Sequence, residues 1–221
     1  MTNDKKTLAV IGGTGNEGPG LAARWAASGK YKVIIGSRKT EKAQRVAAEL
    51  NAQLGQNLLR GMANEDAVNE ADLAVLTVPY SAHRPTLEGL KEALKGKVLI
   101  DVTVPLAPPK VSHVKIPSGG SAGQEAQAIL GDEVQVVSAF QNIGAAHLDD
   151  PEHAIECDVL VCGNKKAAKA EAIALAEAAG MRGIDAGPLQ NAVVVEGLTA
   201  VLIGINIRHK VKGAGIKITG I

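Results

Sequence analysis

Short runs of apolar, β-branched residues recur along the chain at TLAVIGG, YKVIIGS, ADLAVLTVP, GKVLIDVTVP, VQVVSAF, CDVLVCG and MRGIDAG, and each reads as a strand. Between most of them lie segments such as GLAARWAAS, TEKAQRVAAELNAQL and TLEGLKEALK, whose Ala, Leu, Glu and Lys content favours helix. The strand segments are continuously apolar instead of alternating, so they need cover on both faces. That predicts an α/β fold, a doubly wound and mainly parallel sheet with helices on each side. One connection breaks the rhythm: PLAPPKVSHVKIPSGGSAGQ carries four prolines and reads as a long irregular loop. Beyond it the pattern gives two more strands, an Ala-rich helix from about Lys165 to Ala179 and an apolar helix from about Leu189 to Arg208. The last is apolar most of the way round, which predicts burial inside the chain or against a second copy, hence a homodimer. A single domain over residues 1–221 is expected, with a core part over 5–146 and a C-terminal β/α extension over 155–221 that ends in helix.

Composition narrows the partners. A chain with 46% hydrophobic residues, 21% charged and a net charge of +1 reads as an ordinary soluble globular protein. Only 2% of residues are aromatic, which leaves neither the stacking platforms nor the basic stripe that nucleic acid needs. The opening MTNDKKTLAVIGG has too short an apolar run for a signal peptide. The late stretch AVVVEGLTAVLIGINI is interrupted by Glu196 and Asn206 and falls short of the ~18 residues of a membrane span. No membrane association is expected. Cys157 and Cys162 are five residues apart in a strand, so their side chains should face opposite ways and stay unpaired, which suits a reducing, cytoplasmic setting.

The chemistry begins after the first strand. AVIGGTGNEGPG places Gly13, Gly15 and Gly18 in a G-x-G-x-x-G pattern between a strand and a helix, the arrangement of a Rossmann-type dinucleotide site. The first glycine is expected to allow the tight turn, the second to admit a pyrophosphate, and the third to let helix and strand pack closely. Pro19 then falls in the first helical turn, where its missing N–H does no harm. About twenty residues on, where an NAD enzyme carries a carboxylate for the ribose 2′-hydroxyl, this chain has Ser37 and Arg38, with Lys42 a turn later. Arg38 can grip a 2′-phosphate with two hydrogen bonds, Ser37 can donate another, Lys42 adds charge and Thr14 can reach the same group. The expected cofactor is NADP(H).

Other motifs point to less. GGSAG, residues 119–123, matches a hydrolase nucleophile elbow in letters only; it lacks the strand upstream, and Ser121 with Gln124 reads as a helix cap. The five histidines, His83, His113, His147, His153 and His209, lack metal-ligand spacing and read as surface or loop residues, so no metal is expected. Asp72 and Asp101 read as strand-end carboxylates, and no acid and base stand out as a pair. Hydride exchange between two redox cofactors needs only alignment of their rings, which suits such a site.

On these residues the chain resembles the NADPH-dependent reductases of the deazaflavin coenzyme F420. The resemblance runs through GGTGNEGPG, GSRKTEKA, NEDAVNEADLAVLTVPY, VVSAF, CDVLVCG, DAGPL, VEGLTAVLIGIN and GAGIKITGI. It implies direct hydride transfer between NADP(H) and coenzyme F420, with no catalytic side chain. It also implies that Thr14, Gly15, Asn16 and Glu17 hold the dinucleotide, that Ser37, Arg38 and Lys42 hold its 2′-phosphate, and that Val78 and Pro79 line the path to the nicotinamide. The AFQNIGAA segment would hold the nicotinamide, with Ile143 and Ala145 near the two rings and the side chains of Gln141 and Asn142 facing the second. The deazaflavin would enter beside Ala214, Gly215 and Ile216. Two other readings fit the residues alone: an NADPH-dependent reductase of a flavin or another small substrate, and a non-catalytic NADP-sensing module.

Overall fold

The computed structural model describes residues 5–148, 150 and 153–221. Strands β1 (Thr7–Ile11), β2 (Lys32–Ser37), β3 (Leu59–Ala63), β4 (Leu73–Leu76), β5 (Val98–Asp101), β6 (Gln135–Ser138), β7 (Asp158–Gly163) and β8 (Arg182–Asp185) form one sheet. Their order is β3-β2-β1-β4-β5-β6-β7-β8. Helices α1 (Gly18–Ala27), α2 (Thr40–Leu54), α3 (Asn64–Glu70), α4 (Tyr80–Leu94), α5 (Ala122–Leu130), α6 (Lys166–Ala178) and α7 (Ala192–His209) cover its faces. The first six strands are parallel, β7 runs against β6, and β8 follows β7. This is the mainly parallel sheet that the apolar runs predict.

The continuous apolar strands do what their pattern requires. In β1, Leu8 and Val10 pack with Leu21 and Trp25 of α1 and Leu175 of α6, whereas Ala9 and Ile11 pack with Leu87, Leu90 and Leu94 of α4. Trp25 donates its indole N–H to the Leu175 carbonyl at 2.9 Å and meets the Phe140 ring edge-on at 5.7 Å. Cys157 and Cys162 sit in these two opposite layers, buried and unpaired, as their spacing predicts.

Arg24 is a charged residue in this apolar setting. It is buried on α1, and its guanidinium donates to the carbonyls of Ala179, His147, Asp150 and His153. These bonds tie the connection between β6 and β7 to the first helix. Burial lowers the Arg24 pKa, and the nearby Asp150 opposes that shift.

Strand β1 is followed in the sheet by β2 on one side and β4 on the other. The chain changes direction of travel there, and a crevice opens beyond the carboxyl ends of the two central strands, where α/β sheets take their ligands.

Helix α7 is less enclosed than its composition suggests. With the short 3-10 turn Leu189–Asn191 it forms a run long and apolar enough to cross a membrane by length and hydropathy. Val195, Ala200 and Leu202 are buried in the fold, whereas Val194, Val201 and Ile207 are exposed at 65%, 45% and 64%.

Candidate dinucleotide site

The glycine loop leaves β1 at the crevice. Its tight turn falls on Gly12, which adopts a φ of +70°, and a side chain there would run into Val78. The expectation that Gly13 serves the turn is therefore corrected: the doublet shifts that role one residue earlier. Gly13 instead lies where a Cβ would stand 2.7 Å from the Val10 carbonyl, close against the strand. Gly18 fits the third role, since a Cβ would come within 2.7 Å of both Gly13 Cα and Thr77 Oγ1 where α1 packs on the loop. Gly15 has only ordinary protein contacts around its missing Cβ. Its bare backbone faces outward, where a phosphate can approach the free N–H groups at the start of α1.

A cavity of about 670 Å³ lies along this loop, lined by Gly12, Thr14, Gly15, Ser37, Arg38, Lys39, Lys42, Asn64, Val78, Pro79, Ala82 and Thr86. Seven residues singled out in the sequence thus line one cavity: Thr14, Gly15, Ser37, Arg38, Lys42, Val78 and Pro79. Ser37 ends β2, buried, with its oxygen accepting the Lys39 N–H at 3.2 Å, so its hydroxyl proton stays free to donate outward. Arg38, Lys39 and Lys42 are exposed around it. The turn is basic and open, and its donor set fits a phosphate.

Asn64 is not marked by the sequence, and Lys39, though part of the basic turn, carries no expected contact there. Asn64 begins α3 and accepts the Gly12 N–H on Oδ1 at 3.3 Å, joining the glycine loop to the end of β3. No motif marks it.

Glu17 precedes α1 and makes no side-chain capping bond. Burial pushes its carboxyl up to about 7. A neutral carboxyl can stand beside a pyrophosphate; an ionised one repels it. NADPH affinity is therefore expected to weaken as pH rises through about 7, and Glu17→Gln to remove that component. Parallel pH profiles of Kd for the two proteins would overturn this.

The segment expected to hold the nicotinamide follows β6. Phe140 takes a φ of +74°, rare for a bulky side chain, and turns its ring inward against Trp25. Beyond it, Gln141 and Asn142 do not face an open cleft as expected. Gln141 is buried and donates to the Asp101 carbonyl and Ser138 Oγ; Asn142 is buried and donates to Cys157 Sγ and the Asp158 carbonyl. Each amide nitrogen thus donates to one backbone carbonyl and one side chain, leaving Gln141 Oε1 and Asn142 Oδ1 without partners. Ile143 is buried, and Ala145 is half-buried in the 3-10 turn Ala145–His147.

The C-terminal segment closes on the same edge. The Ala214 N–H donates to Asn206 Oδ1, that of Ile216 to Cys157 Sγ and that of Ile218 to Asp158 Oδ2. His147 Nε2 lies 3.1 Å from the Gly213 carbonyl. Arg182 holds Asp158 with two hydrogen bonds of 2.9 and 2.6 Å, and those bonds keep the Asp158 pKa below its ordinary value against the opposing effect of burial. So the segment bearing Ala214 is laid beside the one bearing Ile143 and Ala145.

The histidine reading needs one correction. His83 is 1% exposed, and its Nε2 lies 2.7 Å from Oδ2 of the fully buried Asp101. Burial disfavours the imidazolium, but the Asp101 carboxylate outweighs it and the His83 pKa is raised. An acid–base pair thus exists where the sequence showed none. The signal was present: His83, Leu87, Leu90 and Leu94 all fall on the buried face of α4. Ser121, by contrast, caps α5 as its spacing predicts, accepting the Gln124 N–H at 3.1 Å. Among the described residues no group of His, Cys, Asp and Glu is arranged to hold a metal ion.

A doubly wound sheet, a glycine loop at its crevice and a basic turn after β2 define a dinucleotide-binding protein of the Rossmann class. Residues 7–105 match the family described as NADP oxidoreductase, coenzyme F420-dependent. The F420-dependent NADP reductase of Methanocaldococcus jannaschii is 42% identical, over 97% of this chain and 98% of its own length. That of Methanothermobacter marburgensis is 41% identical over 97% and 98%. A crystal structure of a candidate F420-dependent NADP reductase from Arthrobacter sp. FB24 superposes with a TM-score of 0.79 at 28% identity, over 97% of this chain and 99% of that one. The chain belongs to the F420-dependent NADP reductase family.

Proposed function

We propose, as the conclusion of the site's geometry and the family together, that this protein transfers a hydride between NADP(H) and coenzyme F420. The observation that carries it is the cavity in which the glycine loop and the basic Ser37–Lys42 turn face each other. The nicotinamide supplies the hydride and the deazaflavin accepts it, or the reverse. The chain's own residues bind, orient and exclude water. In this reading Gly13 and Gly18 shape the loop; Thr14, Gly15, Asn16 and Glu17 flank the pyrophosphate; Ser37, Arg38 and Lys42 take the 2′-phosphate; and Val78 and Pro79 border the path inward. Asn142 braces the turn that carries Ile143 and Ala145 toward the rings, and Ala214 borders the deazaflavin.

The same reading includes one cytoplasmic domain working as a homodimer, without nucleic acid or membrane. The apolar stripe of Val194 and Val201, two helical turns apart on α7, supports the dimer, because a second copy would cover it. Mixing the purified protein with NADPH and oxidised coenzyme F420 should bleach the coenzyme's visible absorption in step with NADPH oxidation. No bleaching, with NADPH binding intact, would overturn the reaction.

A further inference from the structure

Asp101 makes two sets of bonds, and they lead to different parts of the site. It is fully buried at the end of β5. Its carboxylate takes His83 Nε2 at 2.7 Å on one oxygen and accepts the Thr103 N–H at 3.0 Å on the other. Thr103 continues to the dinucleotide cavity, donating its hydroxyl to the carbonyl of Val78, one of the lining residues, at 3.3 Å. His83 leads there as well, because Ala82 and Thr86 of the same helix line that cavity.

The backbone carbonyl of Asp101 serves the segment after β6. It accepts the Ala139 N–H at 3.2 Å and Gln141 Nε2 at 2.7 Å. Because Gln141 Oε1 has no partner, the hydrogen bonds of that buried side chain all run through its nitrogen, to this carbonyl and to Ser138 Oγ at 2.8 Å. The Gln141 carbonyl accepts the Thr199 hydroxyl at 2.7 Å, which ties the same turn to α7. Asp101 thus joins α4 and Val78 to the turn that carries Ile143 and Ala145, and His83 is the side chain that anchors it.

We infer that His83 is a positioning residue for hydride transfer: by anchoring Asp101 it fixes the turn after β6 against the dinucleotide wall, and so sets the approach of the two rings. The inference rests on that turn holding the nicotinamide, as proposed above. It asks no proton or electron of His83. A protonated imidazole holds a carboxylate by a charge-assisted bond, and a neutral one holds it more loosely. The acids acting on His83 are Asp101 from β5, Glu125 from α5 and Glu196 from α7, with the Tyr80 ring of its own helix stacked at 6.0 Å. Tyr80 donates to Glu125 at 2.8 Å, Arg84 acts on it, and Lys115 lies over its ring at 5.9 Å. Burial disfavours the imidazolium, but the three acids together raise the His83 pKa above its ordinary value. The anchor therefore tightens and loosens within the range where histidine titrates.

The test is single-turnover hydride transfer from preloaded NADPH to coenzyme F420, followed across the range of histidine titration, about pH 5.5 to 8.5. Wild-type transfer should be fastest where His83 is protonated and should slow as pH rises through its pKa. His83→Gln keeps a neutral N–H for Asp101 but gains no charge, so its rate should match the slow, alkaline level of the wild type and vary less with pH. His83→Leu removes the donor and should lower the transfer rate by roughly 5- to 50-fold, the size of a small misalignment of reacting atoms, with Kd for NADPH almost unmoved. Glu17 and Glu196 titrate in the same range in every variant, so the difference between profiles isolates His83. Where the leucine variant does not fold, the glutamine variant, which keeps the hydrogen bond, decides. A wild-type profile that His83→Gln reproduces, or losses of rate matched by equal losses of NADPH affinity, would overturn the role while leaving hydride transfer in place. No transfer by the wild-type protein at any pH would overturn the reaction and the role with it.

Discussion

Arg38→Ala should raise KM for NADPH by roughly 10- to 150-fold and leave KM for NADH almost unmoved. The two dinucleotides differ only in the 2′-phosphate, so a residue serving that group changes one and spares the other. The size follows from the net value of a hydrogen bond to a charged partner, about 1.5 to 3 kcal/mol, at ten-fold per 1.4 kcal/mol. Arg38 is exposed at the rim of the cavity, so its removal leaves no buried group unpaired and the fold should be unaffected. Arg38→Lys should recover part of the loss, since an ammonium supplies charge without the planar fork. Steady-state kinetics with both dinucleotides measure the ratio. Equal rises for NADPH and NADH would remove the 2′-phosphate assignment, and with it the preference for NADP(H).

The ease with which this site could be read follows from where its information lies. The glycine loop and basic turn are contiguous in sequence and serve local geometry, so spacing alone places them. The central strands were equally plain, because burial on both faces leaves uninterrupted apolar runs such as LAVI and VIIG. Strand β3 was missed for the same reason in reverse. It lies at the sheet edge, carries Arg60 and Gly61, and is only partly buried, so LRGMA has no apolar run to notice. Helix α3, seven residues rich in Asn, Glu and Asp, is too short to show a period. The reversal of β7 was also hidden. Among its described residues the connection from β6 holds only a short 3-10 turn where a parallel return would need a crossover helix, but strand direction leaves no mark on composition. Least legible were the contacts between distant segments. Asn64 at the glycine loop, Asp101 beneath His83 and the C-terminal segment on Asp158 each join residues that only the folded sheet brings together.

Glu196 is the strongest case of such a contact, and its replacement should cost the most stability. It is 1% exposed in the middle of α7, where its carboxyl accepts the N–H groups of Ala122 and Gly123 at 2.7 and 3.0 Å and the Ser138 hydroxyl at 3.3 Å. One side chain thus joins α7 to the start of α5 and the end of β6. Glu196→Ala strands two buried helix-start donors and a hydroxyl, for an expected loss of about 3 kcal/mol. Burial raises the carboxyl to about 7 from an ordinary 4.5; the bonds from Gly123, Ala122 and Ser138 oppose the shift, and Asp101 adds to it. A carboxyl raised on folding contributes stability that is complete below about 4.5 and lost as pH climbs through about 7, a change on the order of 3 kcal/mol. Glu17 titrates over the same window, so the informative quantity is the difference between wild-type and Glu196→Gln in urea unfolding from pH 4.5 to 8. The glutamine cannot ionise, and its stability should decline less steeply with pH. Identical slopes would show that the folded protein keeps Glu196 ionised throughout, with the helix-start N–H groups outweighing burial.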